Sequence, residues 1–156
     1  MKQMIRHAYD NTYLHKDFHQ ALNFALIYLE KQQGEKGVRA YLTDFAEAYY
    51  APLNQAVKDQ GLSALQAYME KIYALEGGEV AIRRTTDPDQ LDIIVSRCPA
   101  VTHIRAGNND VSPLFHLTHE VVNDCICRGT PWQSELLDYN PQTGSCIQRF
   151  SRRTTS

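Results

Sequence analysis

The hydrophobic period of this chain changes once, near Gly77 and Gly78, and this change limits the fold more than any other feature. Before it, apolar residues such as Phe18, Leu22 and Leu26 recur every three to four positions, which is typical of amphipathic helices. After it, short β-rich segments alternate with turn residues, which is typical of strands. Helices first and paired strands later predict an α+β domain with an antiparallel sheet.

Three helices are predicted before the change of period. The first ends at Gly34. The second covers residues 35–58 and breaks at Pro52, because proline cannot donate the backbone hydrogen bond of a helix interior. The third begins at the sequence SALQ, where Ser63 and Gln66 have the spacing of a capping box, and it ends just before the two glycines.

Two hairpins with one helix between them are predicted after the change of period. The segments EVAIRRT and LDIIVSRC form the first hairpin around Pro88, and SELLDYN and GSCIQRF form the second. The helix covers residues 112–128, with Pro113 in its first turn. We expect the whole chain to form a single domain, with flexible ends at residues 1–12 and 151–156.

The composition argues against several classes of function. The chain has 156 residues and a net charge of −2, whereas a domain that binds nucleic acid usually carries a strong basic excess. Its most apolar stretch, ALNFALIYL, is much shorter than the about 20 apolar residues that span a bilayer. The first residues lack the apolar core of a secretory signal, so we expect a cytoplasmic protein whose four cysteines are thiols.

Two of the cysteines are expected on strands. Cys98 comes directly before Pro99, which is expected to keep the chain extended as the strand leads into a loop, and side chains at such positions often face a pocket. Cys146 lies in the last strand, on the same face as Gln148 and Phe150. The sequence has no CxxC pair, so no structural zinc site is predicted, although convergence of Cys98, Cys125 and Cys146 on one metal stays open.

The other two cysteines lie on the predicted helix of residues 112–128, which has two stripes at 100° per residue. The apolar stripe is predicted to face the sheet and contains Leu114, Leu117, Val121 and Cys125. The polar stripe lies on the opposite side, with His119 at its edge, and contains His116, Glu120, Asn123 and Cys127. A carboxylate one turn from an imidazole can orient it, but a solvated surface gives the same pattern.

Two further patterns each have two interpretations. His15 and His19 are four residues apart near the start of the first helix, which suits either a metal or a helix start with two exposed imidazoles. Aromatic residues are frequent in the second and third helices, where they suit either core packing or an enclosed pocket for a small ring compound. They are Tyr41, Phe45, Tyr49, Tyr50, Tyr68 and Tyr73.

Four segments of the chain together resemble the family of L-2-amino-thiazoline-4-carboxylic acid hydrolases. They are YLHKDFHQAL, RAYLTDFAEAYYAPL, VSRCPAVTHI and GSCIQRF, and the resemblance covers about residues 13–150. It implies hydrolytic opening of a cyclic isothiourea that carries a carboxylate. The second half also resembles the small-molecule-binding domains related to 4-vinyl reductase, which implies a non-enzymatic domain that holds a small molecule, a metal or a tetrapyrrole. A plain interaction module with core thiols is a third alternative.

The hydrolase resemblance requires a nucleophile and a general base. Cys98 is the predicted nucleophile, because a thiolate is the strongest nucleophile available in a protein. The predicted base is His103, His116 or His119, with Glu120 orienting His116. His103 is the less favoured base, because an extended chain after Pro99 would carry it far from Cys98.

The same resemblance implies a cationic anchor for the substrate carboxylate, for which Arg97, Arg105 and Arg149 are the candidates. Four residues are predicted to contact the substrate: Tyr50, His103, Cys127 and Arg149. The expected partner is a small-molecule substrate, with neither nucleic acid nor membrane, and association into a homo-oligomer stays open. No metal ligands are predicted in the hydrolase, and the sequence identifies no cofactor.

Overall fold

The computed structural model describes residues 16–154, and it has the predicted α+β architecture. Its elements are α1 (Lys16–Tyr49), α2 (Ala51–Gln60), α3 (Leu62–Glu76), β1 (Glu79–Arg84), β2 (Gln90–Arg97), α4 (Pro99–Ala106), α5 (Leu117–Cys127), β3 (Trp132–Leu137) and β4 (Cys146–Arg152). Among the helices of this range, none combines the length and the apolar character needed to cross a membrane.

The first helix is a hairpin of two arms, residues 16–33 and 35–49. Gly34 between them has φ 68° and ψ −169°, in a backbone region that glycine adopts without steric cost. The ring centroids of Phe18 and Phe45 are 5.8 Å apart, whereas a straight helix would separate these residues by about 40 Å. The arms are therefore antiparallel neighbours, and the predicted break at Gly34 is confirmed.

The predicted break at Pro52 is also confirmed, since α1 ends at Tyr49 and α2 begins at Ala51. The predicted capping box at the start of the third helix is wrong. A tight turn at Gly61, with φ 67°, joins α2 directly to α3, so Ser63 falls inside the helix. Its hydroxyl donates to the Gln60 carbonyl instead of accepting from the helix N-terminus.

The four strands form an antiparallel sheet in the order β1-β2-β4-β3. Both predicted hairpins are present, and β2 pairs with β4 to join them. The inner face, which packs against the helices, carries Leu91, Ile93, Val95, Cys146, Gln148 and Phe150. The face predicted for Cys146 is therefore confirmed. The last strand continues to Arg152, so residues 151–152 belong to the sheet and not to a free end.

The chain after Cys98 is helical, which corrects the predicted extended loop. Cys98 is the N-cap residue of α4, and its carbonyl accepts a hydrogen bond of 3.0 Å from the Thr102 amide. Pro99 occupies the first turn, where its fixed φ suits a helix and its missing N–H would have no partner. Two helices therefore lie between the hairpins, and His103 is only about 8 Å from Cys98 along the axis of α4.

The next helix, α5, is shorter than predicted and is oriented differently. It begins at Leu117, since residues 113–116 form turns and the Phe115 amide bonds to the Ser112 carbonyl. Asn123 donates to Gln148 on the inner face of the sheet, so this member of the predicted polar stripe faces the sheet, whereas Glu120 of the same stripe bonds to Arg39 of α1. Cys127, predicted on the polar stripe, is fully buried, because α5 packs between the sheet and the first two helices; a solvated surface is therefore the wrong interpretation at this residue.

Candidate active site

A cavity of about 140 Å³ lies among α1, α3, α4, α5 and the inner face of β4. We call it the inner cavity. Aromatic rings form much of its wall, contributed by Phe18, Phe45, Tyr50 and Tyr68. Phe45 and Tyr50, like Tyr50 and Tyr68, meet edge to face at 6.1 Å. An engineered cavity of about 150 Å³ binds benzene, so the inner cavity has the volume of a small ring compound.

The thiol of Cys98 lines the inner cavity from the N-terminus of α4. Cys98 is only 3% exposed, and burial raises the pKa of its thiol. The backbone amides of Ala100 and Val101 lower the pKa of the thiol, although neither makes a capping hydrogen bond with it. The result is a neutral thiol at rest. Gly144 permits this position, because a Cβ there would lie 2.5 Å from the Cβ of Cys98.

His119 lines the same cavity from the first turn of α5. Part of the residue reaches the surface, but its Nε2 atom is buried and has no hydrogen-bond partner among the described residues. Burial lowers the pKa of His119 to about 4, and the neighbouring His19 acts in the same direction. The imidazole is therefore neutral at physiological pH, which is the form that accepts a proton.

His19 and Glu76 form a side-chain pair at the edge of the inner cavity. The His19 Nε2 and Glu76 Oε1 atoms are 3.3 Å apart, close enough for an ion pair when the imidazole is protonated. The ring nitrogen is not directed at the carboxylate for a hydrogen bond. Both residues also line a second cavity of about 220 Å³, which we call the outer cavity, together with Arg97 and His103. The pair is thus a shared wall of the two cavities.

A chain of buried hydrogen bonds crosses from α5 through β4 to α3. The Asn123 side-chain amide donates to Gln148 Oε1 at 2.8 Å, and Gln148 Nε2 donates to the Tyr73 hydroxyl at 2.9 Å. All three residues line the inner cavity. Burial strongly raises the pKa of Tyr73, so its hydroxyl keeps its proton. We call these three residues the amide–hydroxyl chain.

His116 and Glu120 lie outside the inner cavity and do not form the predicted pair. The Glu120 carboxylate accepts a hydrogen bond of 3.0 Å from Arg39 of α1. The His116 Nδ1 atom lies 3.2 Å from the Pro113 carbonyl, and its ring centroid is 5.8 Å from that of Tyr139. Of the predicted bases, the structure brings only His119 to the same cavity as Cys98.

The four predicted substrate contacts are dispersed. Tyr50 lines the inner cavity, whereas His103 lines the outer one, and the buried Nε2 atom of His103 has no partner in the described part of the chain. Arg149 lies on the opposite face of the sheet, where it makes two hydrogen bonds of 2.9 Å to Asp92. Cys127 is buried elsewhere, with its pKa raised to about 12 by burial.

Sequence reasoning missed Glu76 and Gln148 as site residues, and it named Tyr73 only among the aromatic residues that suit either the core or a pocket. A signal existed for Gln148, because the alternation of β4 placed this polar residue on a face that also carries Cys146. His19 was noted only with His15, which lies outside the described residues. No local pattern marks Glu76, since it reaches the cavity from the end of an ordinary amphipathic helix.

The arrangement does not fit a metal or a tetrapyrrole. Within residues 16–154, no three histidine, cysteine, aspartate or glutamate side chains are grouped so that they could hold a metal ion. The three-thiolate site of Cys98, Cys125 and Cys146 is therefore absent from this range. The inner cavity is also smaller than the about 300 Å³ at which pockets for drug-sized ligands begin, and a tetrapyrrole needs more.

Comparison of the chain with protein-family models, with curated proteins and with solved structures found no match. The resemblance to L-2-amino-thiazoline-4-carboxylic acid hydrolases therefore stays a prediction. What the inner cavity can do has to be argued from its volume, its lining and the protonation of its groups.

Proposed function

We propose that this protein is a small-molecule hydrolase that opens a cyclic amidine or isothiourea ring of the 2-amino-thiazoline-4-carboxylate type. The observation that carries the proposal is that Cys98 and His119, whose imidazole is neutral at physiological pH, line the same cavity. A nucleophile and a proton acceptor beside a space of ring size are the groups that addition to an amidine-type carbon requires.

The protonation of the two groups limits the mechanism. Burial holds the Cys98 pKa above its ordinary value of about 8.5, while that of His119 is lowered to about 4. Moving the proton from thiol to imidazole at rest costs at least about 6 kcal/mol, at about 1.4 kcal/mol for each tenfold difference in acidity. Proton transfer therefore accompanies attack on the substrate. A substrate carboxylate near His119 would raise the pKa of this base and reduce the cost.

The reaction consumes one water molecule. Cys98 sulfur adds to the amidine-type carbon while His119 accepts its proton, and the ring carbon–sulfur bond breaks as that proton passes to the departing sulfur. Water then adds to the same carbon and displaces the Cys98 thiol, which leaves a urea and a free thiol in the product. Direct attack of water with His119 as the base gives the same product without a covalent intermediate.

A second candidate function is binding without turnover. It is favoured by the burial of Cys98, since a thiol that is 3% exposed and has a raised pKa is a poor nucleophile. In this case the aromatic wall and the amide–hydroxyl chain would hold a small ring compound in the same cavity.

The deciding experiment is incubation with 2-amino-thiazoline-4-carboxylate and detection of the new thiol with a thiol reagent and by mass spectrometry. We expect His119→Gln to lower kcat/KM by about 10²- to 10⁴-fold, the usual contribution of a general base. The matched control is His116→Gln, one helical turn away and outside the cavity, which we expect to retain full activity.

The role of sulfur is tested by Cys98→Ser, with Cys146→Ser as the control because Cys146 is equally buried but does not line the cavity. Loss of activity only at position 98 supports the covalent route, and full activity of both variants leaves attack by water. A ring compound that binds but is never opened would establish the binding function instead. Full activity of His119→Gln would remove His119 from the mechanism.

A further inference from the structure

We propose that Tyr73 donates a hydrogen bond to an acceptor atom of the ring that occupies the inner cavity, and that this bond selects rings carrying such an acceptor. The inference rests on the proposed function only in that a small ring enters this cavity. It adds the role of Tyr73 and a hydrogen-bond acceptor on the ring, neither of which the proposed function specifies.

The direction of the amide–hydroxyl chain leads to this assignment. Gln148 has one acceptor and one donor group in its side chain, and the acceptor is occupied by the Asn123 amide at 2.8 Å. Its donor group is therefore the one directed at the Tyr73 oxygen, at 2.9 Å. Since that oxygen already accepts, the tyrosine proton points to another atom, and the Tyr73 hydroxyl makes no second hydrogen bond to the described residues.

Burial makes an unpaired hydroxyl proton on Tyr73 unfavourable, because water cannot accept its hydrogen bond. Tyr73 is 7% exposed, Asn123 is 5% exposed and Gln148 is 2% exposed. A buried donor without a partner is unfavourable, and a ligand acceptor removes this cost. Donors fixed before the ligand arrives also need no reorganisation when charge develops on the ligand. The tyrosine hydroxyl is such a donor, because burial strongly raises its pKa.

Packing fixes the position of the Tyr73 ring. A Cβ added at Gly78 would lie 2.8 Å from Cδ1 of Tyr73 and 3.3 Å from Cδ of Pro99. The ring therefore fits closely against the chain that leads into β1, on the side where α4 begins. Tyr73 and Cys98 both line the inner cavity, so a molecule bound there lies beside both residues.

The ligand class follows from this donor and from the aromatic wall. A planar ring stacks against aromatic side chains, and an unsaturated ring nitrogen supplies the acceptor. A cyclic amidine has both features, whereas a hydrocarbon ring has only the first. The Tyr73 hydroxyl would thus separate nitrogen heterocycles from apolar rings of the same size.

Thiazole and thiophene are suitable probes, because both are flat five-membered sulfur rings and only thiazole carries a nitrogen acceptor. We expect the wild-type protein to bind thiazole about fivefold more tightly than thiophene, as measured by calorimetry or protein-observed NMR, which is the usual net contribution of one hydrogen bond. In Tyr73→Phe the two affinities should become equal. The control is Tyr139→Phe, because the Tyr139 hydroxyl is buried, has no hydrogen-bond partner among the described residues and does not line the cavity.

Each other outcome counts against the proposal. Equal binding of the two probes by the wild-type protein would overturn the donor, while the cavity would remain a binding site for rings. Discrimination that survives in Tyr73→Phe but is lost in Asn123→Ala would mean that the second N–H of the Asn123 amide, and not Tyr73, is the donor. Failure of both probes to bind would overturn this inference, whereas the proposed function stands or falls separately on turnover of 2-amino-thiazoline-4-carboxylate.

Discussion

His116 and His119 lie one turn apart at the start of α5, yet their surroundings differ completely. The cavity side of the helix carries His119 and Asn123, which face the inner cavity. The outer side carries His116 and Glu120, which contact the Pro113 carbonyl and Arg39. Burial lowers the pKa of His119 to about 4, whereas Glu120 has a partner that is partly exposed to solvent. Both sides carry a histidine, and only His119 lines the cavity that also contains Cys98, so location makes His119 the candidate base.

The largest effect that separates the two sides is expected in the pH dependence of stability. His119 has a pKa of about 4 in the folded state and an ordinary value of about 6.5 when unfolded, so the unfolded chain binds more protons between these pH values. The free energy of unfolding should therefore fall by about 3 kcal/mol as the pH drops from 6.5 to 4. Urea denaturation across this range should show a shallower dependence in His119→Gln than in His116→Gln. Parallel curves for the two variants would contradict a neutral, buried His119.

A smaller effect is expected when the cavity side loses its central amide. Gln148→Leu leaves Asn123 and Tyr73 without partners, so we expect a loss of about 2 kcal/mol in the free energy of unfolding. Gln133→Leu is the matched control, because Gln133 is exposed on β3 and makes only a 3.4 Å contact with Ser151. It should change stability by no more than about 0.5 kcal/mol. Equal losses in the two variants would mean that the buried chain contributes nothing specific.

The smallest effect is expected on the outer side. Glu120→Gln weakens the pair with Arg39, in which the two side chains are 39% and 42% exposed, so solvent screens most of the interaction. We expect less than about 1 kcal/mol in thermal or urea denaturation, and less still in 0.5 M salt. A loss above about 2 kcal/mol that is insensitive to salt would show that the outer side also stabilises the fold.

The order of elements could be predicted because it depends on local patterns. The break at Gly34, the break at Pro52 and the alternation of β4 each reflect a few neighbouring residues. The prediction failed where one residue permits two conformations. Pro99 suits an extended exit as well as the first turn of a helix, and the structure has the helix.

Less of the site could be predicted, because its residues meet only through tertiary packing. Cys98 and His119 were both candidates, but nothing local distinguished His119 from His116. The orientation of α5 was assigned from its apolar stripe, yet Asn123 faces the sheet because Gln148 is there to accept its hydrogen bond. Such a pairing between residues that are distant in the sequence is invisible in the pattern of either segment.

The reversal of α1 at Gly34 brings Phe18 and His19 to the inner cavity, although they are near the start of the described chain. The tip of this hairpin is open, since an added Cβ at Gly34 would meet no atom within 4 Å. Lengthening a surface loop costs little, about 0.6 kcal/mol for each doubling. A fluorescent label or peptide tag inserted at this tip would therefore report on the protein while both arms stay paired and the pocket stays assembled.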